Sequence, residues 1–493
     1  MIIKFFRLSL AAVVFAASLP LSAQSDPEAA MAALDSVVRK YSHYKNVLDP
    51  YVEKIYKKFD NNSEVITGIA KAYYSFSRPE GQMYYTFVTR DSANAYKYIN
   101  LAIANDRSYV PAYIHGGDIQ LTMGNRDAAL DWYRRAIAAD KFVPDGYLSY
   151  LDVALDADSS AAVSTMSSIR DCLPAYPVEL AVARAYERRS DVRRAIGFYD
   201  KADRDSMDVD DLVSYAIYHY LLGNFDSSLG VALYGHGRFP GNAALDRLAF
   251  WNYTDLKKYD EALEFAGRLF HDADTADIQS KDYLYYGYAY LGKQRYADAV
   301  DMFGKVASFD DATEKDKVTA MQEIVKAYRE LGDYDKAEVA CLAYIDKRQK
   351  DSLLSAYDLN LLAEIYIEKG DTLSGEGRAE AWRRADSVLT VMSERFPANA
   401  DYALYRQLTL ANGQDPESAK GLGVPYAQRL IAVVEAMPDR TSLADERMKA
   451  ACHYLGYYYT FVAKQRARGR VYWEMVLEID PDNNAARTVL GLK

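Results

Sequence analysis

Helix-breaking residues are scarce in this 493-residue chain, with 14 Pro and 26 Gly, so long helices are permitted and a string of small β domains is disfavoured. Only three cysteines occur, Cys172, Cys341 and Cys452. In an elongated stack they lie too far apart in sequence for the short Cα separation of a disulfide, so they read as buried small hydrophobes. An excess of positive charge is missing as well: the formal charge is −11, without the basic footprint that phosphate binding requires, so no nucleic acid is expected as a partner. What remains is a chain half apolar and 26% charged, able to bury a large core and too hydrophobic for wholesale disorder.

A long apolar run occurs once, at the start. Lys4 and Arg7 precede an apolar stretch from Leu8 to Leu19, followed by Pro20, Leu21, Ser22 and Ala23. A positive start, a short apolar middle and a small residue at the end describe a secretory signal peptide over residues 1–23, with cleavage after Ala23. A retained anchor is the alternative, but the run is shorter than the roughly 20 apolar residues of a spanning helix and Pro20 interrupts it. No Cys follows it, so the Cys-based lipid anchor of bacterial lipoproteins is not expected, and no later segment is apolar enough to span a membrane. The expected destination is the periplasm, or a peripheral position at the outer membrane.

From Lys281 to Val306 the pattern is a helix, a turn and a second helix. Tyr283, Tyr286, Gly287 and Tyr290 fall on one face of the α-helical period, Gly292 and Lys293 break it, and Ala299, Phe303 and Val306 resume it. Two amphipathic helices therefore fold back on each other. Gly287 and Ala299 sit where the axes must come close, and Tyr290 and Phe303 fill the space around them as buried rings.

The same unit recurs along the chain. It is clear at Tyr113, Gly116, Gly117, the Gly124-Asn125 turn, Ala129, Tyr133 and Ala136, and again at Ala183, Tyr186, Ala195 and Tyr199. It returns at Tyr253, Ala262 and Phe265, at Tyr328, Gly332, Tyr334 and Ala337, and at Leu455, Gly456, Tyr459 and Trp473. Around Arg78 to Thr89 an insert holding Met83, Tyr84, Tyr85 and Phe87 separates two helices, and a second, Gly-rich insert is expected near Gly375 and Gly377. Residues 144–175 and 400–438 match poorly, lacking the small residues at the helix crossing. Asn484 to Leu492 reads as a closing helix.

This recurrence resembles the tetratricopeptide repeat, whose pattern sets a bulky residue, Leu-Gly, Tyr, then Ala, an aromatic, Ala and finally Pro within one helical hairpin. The resemblance covers nearly all of residues 26–493. It implies an all-α, right-handed α-solenoid of stacked helix-turn-helix units, almost entirely helical and without a sheet. The expected organisation is a signal peptide over 1–23, an N-terminal helical pair over 24–62, a repeat solenoid over 63–438, and a C-terminal repeat with its capping helix over 439–493.

Motifs for catalysis are not found. Six histidines, His43, His115, His219, His236, His271 and His453, are scattered without metal-clasping spacing. His115 and Asp118, three apart, suit a surface hydrogen bond. No Gly-x-Ser-x-Gly or phosphate-cradling loop occurs, and Ser42-x-x-Lys45 sits in a plain amphipathic helix. The Asp-rich turns at Asp203–Asp211 and Asp272–Asp277 lack the glycine and terminal Glu of a calcium loop and suit helix capping. No catalytic residue, metal ligand or cofactor is expected, and the chain is not read as an enzyme.

Tyrosine is the anomaly, at 43 residues. Tyr113, Tyr186, Tyr199, Tyr290 and Tyr459 are explained by packing. Others fall beside the core stripe of first helices, which in the family line the inner wall: Tyr220, Trp251, Tyr285, Tyr288, Tyr454 and Tyr457. Such rings suit a peptide, a partner helix or a sugar, or simply pack between repeats. Family members that clamp a peptide carboxylate use Lys, Asn and Arg on this wall; the matching positions hold Ile114, His115, Asp118, Val213, Ile217, Arg247, Tyr288, Gln322 and Lys326, which make no such cluster. The resemblance therefore implies a non-enzymatic scaffold of a bacterial envelope that holds another protein or peptide. The alternative is a glycan-binding envelope protein using the same aromatics. A toroidal glycan lyase is disfavoured by the short, regular period. Oligomeric state is not legible.

Overall fold

The computed structural model describes residues 26–41, 45–77, 86–156, 159–272 and 278–492. The leader and most of the Asp272–Asp277 turn lie outside them. The described residues divide into two compact units between Val231 and Ala232.

In the first unit the order is α1 (Pro27–Tyr41), α2 (Lys45–Lys58), α3 (Ser63–Tyr73), β1 (Tyr74–Ser77), β2 (Thr86–Arg90), α4 (Ser92–Asn105), α5 (Val110–Thr122), α6 (Arg126–Ala139), α7 (Pro144–Ala154), α8 (Ser159–Cys172), α9 (Val178–Glu187), α10 (Val192–Tyr199) and α11 (Val209–Leu221), followed by α12 (Phe225–Arg238). Consecutive helices pack as hairpins, α3 on α4, α5 on α6 and α9 on α10, while α3 also touches α5 and α5 touches α7. First helices of successive hairpins thus form one layer.

The second unit repeats the plan with α13 (Ala243–Asp255), α14 (Tyr259–Asp272), α15 (Ser280–Gly292), α16 (Tyr296–Val306), α17 (Glu314–Glu330), α18 (Tyr334–Lys350), α19 (Ala356–Thr372), α20 (Gly375–Arg395), α21 (Ala400–Gln414), α22 (Val424–Glu435), α23 (Ser442–Tyr457), α24 (Arg466–Ile479) and α25 (Asn484–Leu490). Here α13 touches α15, α15 touches α17, and α21 touches α23. Stacked hairpins with nearest-neighbour contacts are an all-α solenoid. The poorly matching stretches 144–175 and 400–438 fold as hairpins too.

A recurring glycine explains how each hairpin closes. A Cβ built on Gly117 would meet the Tyr133 ring at 2.4 Å, one on Gly287 the Phe303 ring at 2.5 Å, and one on Gly456 the Trp473 ring at 2.8 Å. The missing side chain on the first helix is the seat of the aromatic on the second, which is why Tyr133, Phe303 and Trp473 are buried. At the hairpin turn Gly124, Gly223 and Gly332 take φ of +81°, +77° and +71°, and Ser190, Lys257 and Gln294 hold the same left-handed conformation without being glycine.

Three expectations need correction. A sheet does exist: β1 and β2 pair antiparallel, Tyr74 opposite Arg90 and Ser77 opposite Thr86, on either side in sequence of residues 78–85, which, with Met83, Tyr84 and Tyr85, lie outside the described residues. The run Thr86-Phe-Val-Thr-Arg90 alternates β-formers, and its Phe87 ring lies 5.9 Å from the ring of buried Tyr74, so the strands are anchored on the helical core. Near Gly375 and Gly377 there is no loop, because α20 begins at Gly375 and runs 21 residues. Tyr290 is half-buried rather than buried, stacked on Tyr286 at 4.8 Å with the Arg295 guanidinium 4.5 Å from its ring.

Candidate partner groove

The aromatic positions singled out in the sequence do not form one site. Tyr220, in the first unit, is half-buried with its ring 5.5 Å from Phe225. In the second unit Trp251, Tyr285 and Tyr288 come together, Trp251 and Tyr285 at 5.3 Å and Tyr285 and Tyr288 at 6.1 Å. The expectation that all three are partly open needs correction for Trp251, which is 9% exposed. Its Nε1 donates to Asp282, 3.1 Å away, and the fully buried Asp282 also accepts from Arg247 Nε at 2.9 Å and from the Gln279 backbone N–H at 2.9 Å. Arg247 is thereby committed inside the wall, and Lys326 pairs with Glu323 at 2.8 Å.

Lys281 covers this cluster, its Nζ 4.2 Å from the Trp251 ring and 5.5 Å from the Tyr285 ring. Desolvation lowers its pKa, opposed by the carboxylates of Asp255, Asp316 and Asp282. Tyr285 donates to Asp255 at 3.2 Å. Burial, then the carboxylates of Glu323, Asp316 and Asp255, push the half-buried Tyr288 up to about 12. These rings are tied to one another and to buried charge, which is a packed wall more than an open cleft.

Open clefts occur instead on the first helices α21 and α23. One of about 380 Å³ is lined by Tyr405, Leu408, Thr409, Asn412, Pro416, Ser418, Ala450, His453, Tyr454 and Tyr457. A second of about 470 Å³ shares Tyr405, Ala450 and His453 and adds Tyr402, Leu443, Glu446, Arg447, Lys449 and Asn483. The first two therefore adjoin, and a third of about 840 Å³ shares Tyr402 and Arg447 with the second.

Each side chain in this groove is fixed by its helix. Tyr402 and Tyr405 are three apart on α21, and His453 and Tyr457 four apart on α23, so each pair shares a face. Arg406 donates to the Tyr402 hydroxyl at 3.0 Å, and the Arg447 guanidinium lies 5.1 Å from the same ring while pairing with Asp401. His453 meets Trp473 edge-on at 4.8 Å. Tyr454 is buried, its hydroxyl accepting from the Gly423 N–H at 3.0 Å, so its edge forms the floor. Tyr457 is 41% exposed at the rim. The cations of the first two clefts are already paired, Lys449 with Glu446 at 2.8 Å and Arg447 with Asp401, leaving rings and neutral polar groups to meet a ligand there, while exposed Arg429 lines the third.

Sequence reasoning found Tyr454 and Tyr457 here and missed Tyr402, Tyr405 and His453. The available signal was the three-residue spacing of Tyr402 and Tyr405, hidden because residues 400–438 match the repeat pattern poorly.

Residues 110–142, the hairpin of α5 and α6, match the family model of the tetratricopeptide repeat. The chain therefore contains a tetratricopeptide repeat. Tetratricopeptide repeats generally mediate protein–protein interactions. Among solved structures the repeat protein is similar to the C-terminal part of a TPR repeat-containing protein from Cytophaga hutchinsonii, at 20% identity over 56% of this chain and 99% of that one, with a TM-score of 0.44. It is also similar to a tetratricopeptide repeat protein from Parabacteroides merdae, at 17% identity over 48% and 92% of the two chains, with a TM-score of 0.25. No curated protein sequence matches it.

The remaining chemistry of the repeats is structural. His115 is buried, not at the surface, and the backbone of Ala70 bonds to it; desolvation and then the Lys71 ammonium push its pKa down to about 4. Asp118 accepts from the Tyr133 hydroxyl at 2.7 Å, and burial pushes it up to about 6. In the Asp203–Asp211 turn, Asp208 and Asp211 form a reciprocal helix cap held by Arg184. Cys341 and Cys452 are buried, whereas Cys172 is half-buried. Among the described residues no three His, Cys, Asp or Glu side chains are placed to hold a metal ion. No helix among them is long and apolar enough to cross a membrane.

Proposed function

We propose that this repeat protein is a non-enzymatic scaffold of the bacterial cell envelope that holds a segment of another protein against α21 and α23. The contiguous groove of Tyr402, Tyr405, His453 and Tyr457 over a Tyr454 floor carries this reading. Rigid rings bury a large area at little entropy cost, and cations already spent on intramolecular pairs make the groove selective for apolar and aromatic side chains. The positive, apolar, small-residue pattern of residues 1–23 supports export.

Affinity capture from detergent-solubilised envelope, with the chain from Gln24 onward as bait, tests the reading. A stoichiometric protein partner supports it. Retention on polysaccharide with no protein partner supports the glycan alternative, in which the same aromatics would meet sugar rings.

A further inference from the structure

A basic corner stands out in the acidic chain. At residues 464–470, Lys464, Arg466, Arg468 and Arg470 fall within seven positions that hold no carboxylate. They sit where α23 turns into α24, and all four are exposed. Arg468 lies 4.1 Å from the Tyr459 ring and Arg470 bonds to Glu474 at 2.8 Å, whereas Lys464 and Arg466 make no ion pair within the described residues. The α22 end of the preceding loop packs on the same corner, with Gly421 against Tyr458 and Gly423 on Tyr454. That loop brings Lys420 with Glu417 and Asp415, so five cations face three carboxylates, one of them Asp415 buried under the loop N–H groups.

Apolar side chains stand among these cations. Phe461 is 45% exposed and Val471 52%, and the Phe461 ring lies 5.5 Å from exposed Tyr457. Phe461 belongs to a π-helical turn, Tyr458–Val462, a local insertion that rotates the side chains of this turn relative to a continuing α-helix. The turn is held firmly. Trp473 Nε1 donates to Thr460 Oγ1 at 3.1 Å, and a Cβ on Gly469 would meet that oxygen at 2.2 Å, so α24 lies hard against it. An exposed ring on a rigid turn that leads straight into a run of exposed ammonium and guanidinium groups offers what an anionic lipid surface requires: charge for the headgroups and an apolar wedge for the acyl boundary.

We propose that the α23–α24 corner docks on an anionic lipid surface, with Lys464 and Arg466 on the headgroups and Phe461 entering the interface. The overall charge of −11 does not oppose this, because distant carboxylates are screened beyond a Debye length of about 8 Å and only the local groups decide. Since Tyr457 belongs both to the groove rim and to this corner, a partner in the groove would be held beside the lipid surface.

Co-sedimentation of the chain from Gln24 onward, which retains every described residue, tests this. The probes are vesicles of phosphatidylethanolamine with about a third phosphatidylglycerol, and neutral phosphatidylcholine vesicles. Binding is expected to the anionic vesicles alone, to fall with added salt, and to weaken by roughly 25-fold or more in Lys464→Glu with Arg466→Glu, at about fivefold per headgroup contact. Phe461→Ser should also weaken it while leaving the circular dichroism unchanged. Equal binding to both vesicles, no binding to either, or charge-reversed protein that binds as before overturns the proposal. A chain that binds poly-glutamate but ignores anionic vesicles also overturns it, in favour of an acidic protein partner. None of these outcomes bears on the groove, whose capture assay contains no intact bilayer.

Discussion

Phe303 lies over Gly287, so close that a single added methyl on the glycine would overlap its ring at 2.5 Å. The contact joins α15 to α16 and is repeated in kind by Gly117 with Tyr133 and Gly456 with Trp473. It assigns the space beneath the aromatic to the glycine itself.

Gly287→Ala should therefore overpack the hairpin and cost about 1 to 3 kcal/mol, while Phe303→Ala should leave a cavity and cost about 3 to 5 kcal/mol. Urea unfolding of both variants checks this. A Gly287→Ala protein as stable as wild type would show that the ring has room to move. Ala299→Leu, on the fully buried face of α16, should also destabilise by about 1 to 3 kcal/mol.

The hairpin period was legible because it rests on residue size. Alanine and glycine at Ala129, Ala299, Gly117 and Gly287 mark where helices touch. What the sequence concealed depends on partners remote in the chain. Trp251 occupies a groove-type position, yet Asp282, some thirty residues on, draws its ring inside. The β1–β2 hairpin was read as an insert because a strand pair so short declares itself only when a core receives Tyr74 and Phe87. Tyr402 and Tyr405 became a groove only once α23 lay beside α21.

Asp282 should be among the most sensitive positions in the second unit. Replacing it by Ala leaves the Arg247 guanidinium, 12% exposed, without its counter-charge, a change that costs about 3 to 5 kcal/mol when a buried pair is broken. Asp282→Asn keeps an acceptor for Trp251 and should cost less. Thermal unfolding that ranks the two variants in the opposite order contradicts this geometry.

His115 and Asp118 give opposed pH dependences. His115 is held at about 4 against an ordinary 6.5, so the native state binds fewer protons in that window and stability falls as pH drops through it. Asp118 is held at about 6 against 3.8, so the native state binds more protons there and stability falls as pH rises. The two slopes offset each other. Asp118→Asn should expose the His115 slope and make the protein lose on the order of 2 kcal/mol more than wild type on acidification from about pH 6.5 to about pH 4. His115→Gln should give the reverse. Urea melts across that range that run parallel for all three proteins contradict the assignment.

The most direct test of the scaffold reading is the affinity of the captured envelope partner for wild-type protein and for the double variant Tyr405→Ala with Tyr457→Ala. Both rings are at least partly exposed, so stability should change by no more than about 1 to 2 kcal/mol. Binding should weaken by roughly tenfold or more, since each lost anchor ring typically costs over about 1 kcal/mol. A double variant that folds like wild type and holds the partner with unchanged affinity would contradict the account, because it would place the partner elsewhere than on α21 and α23.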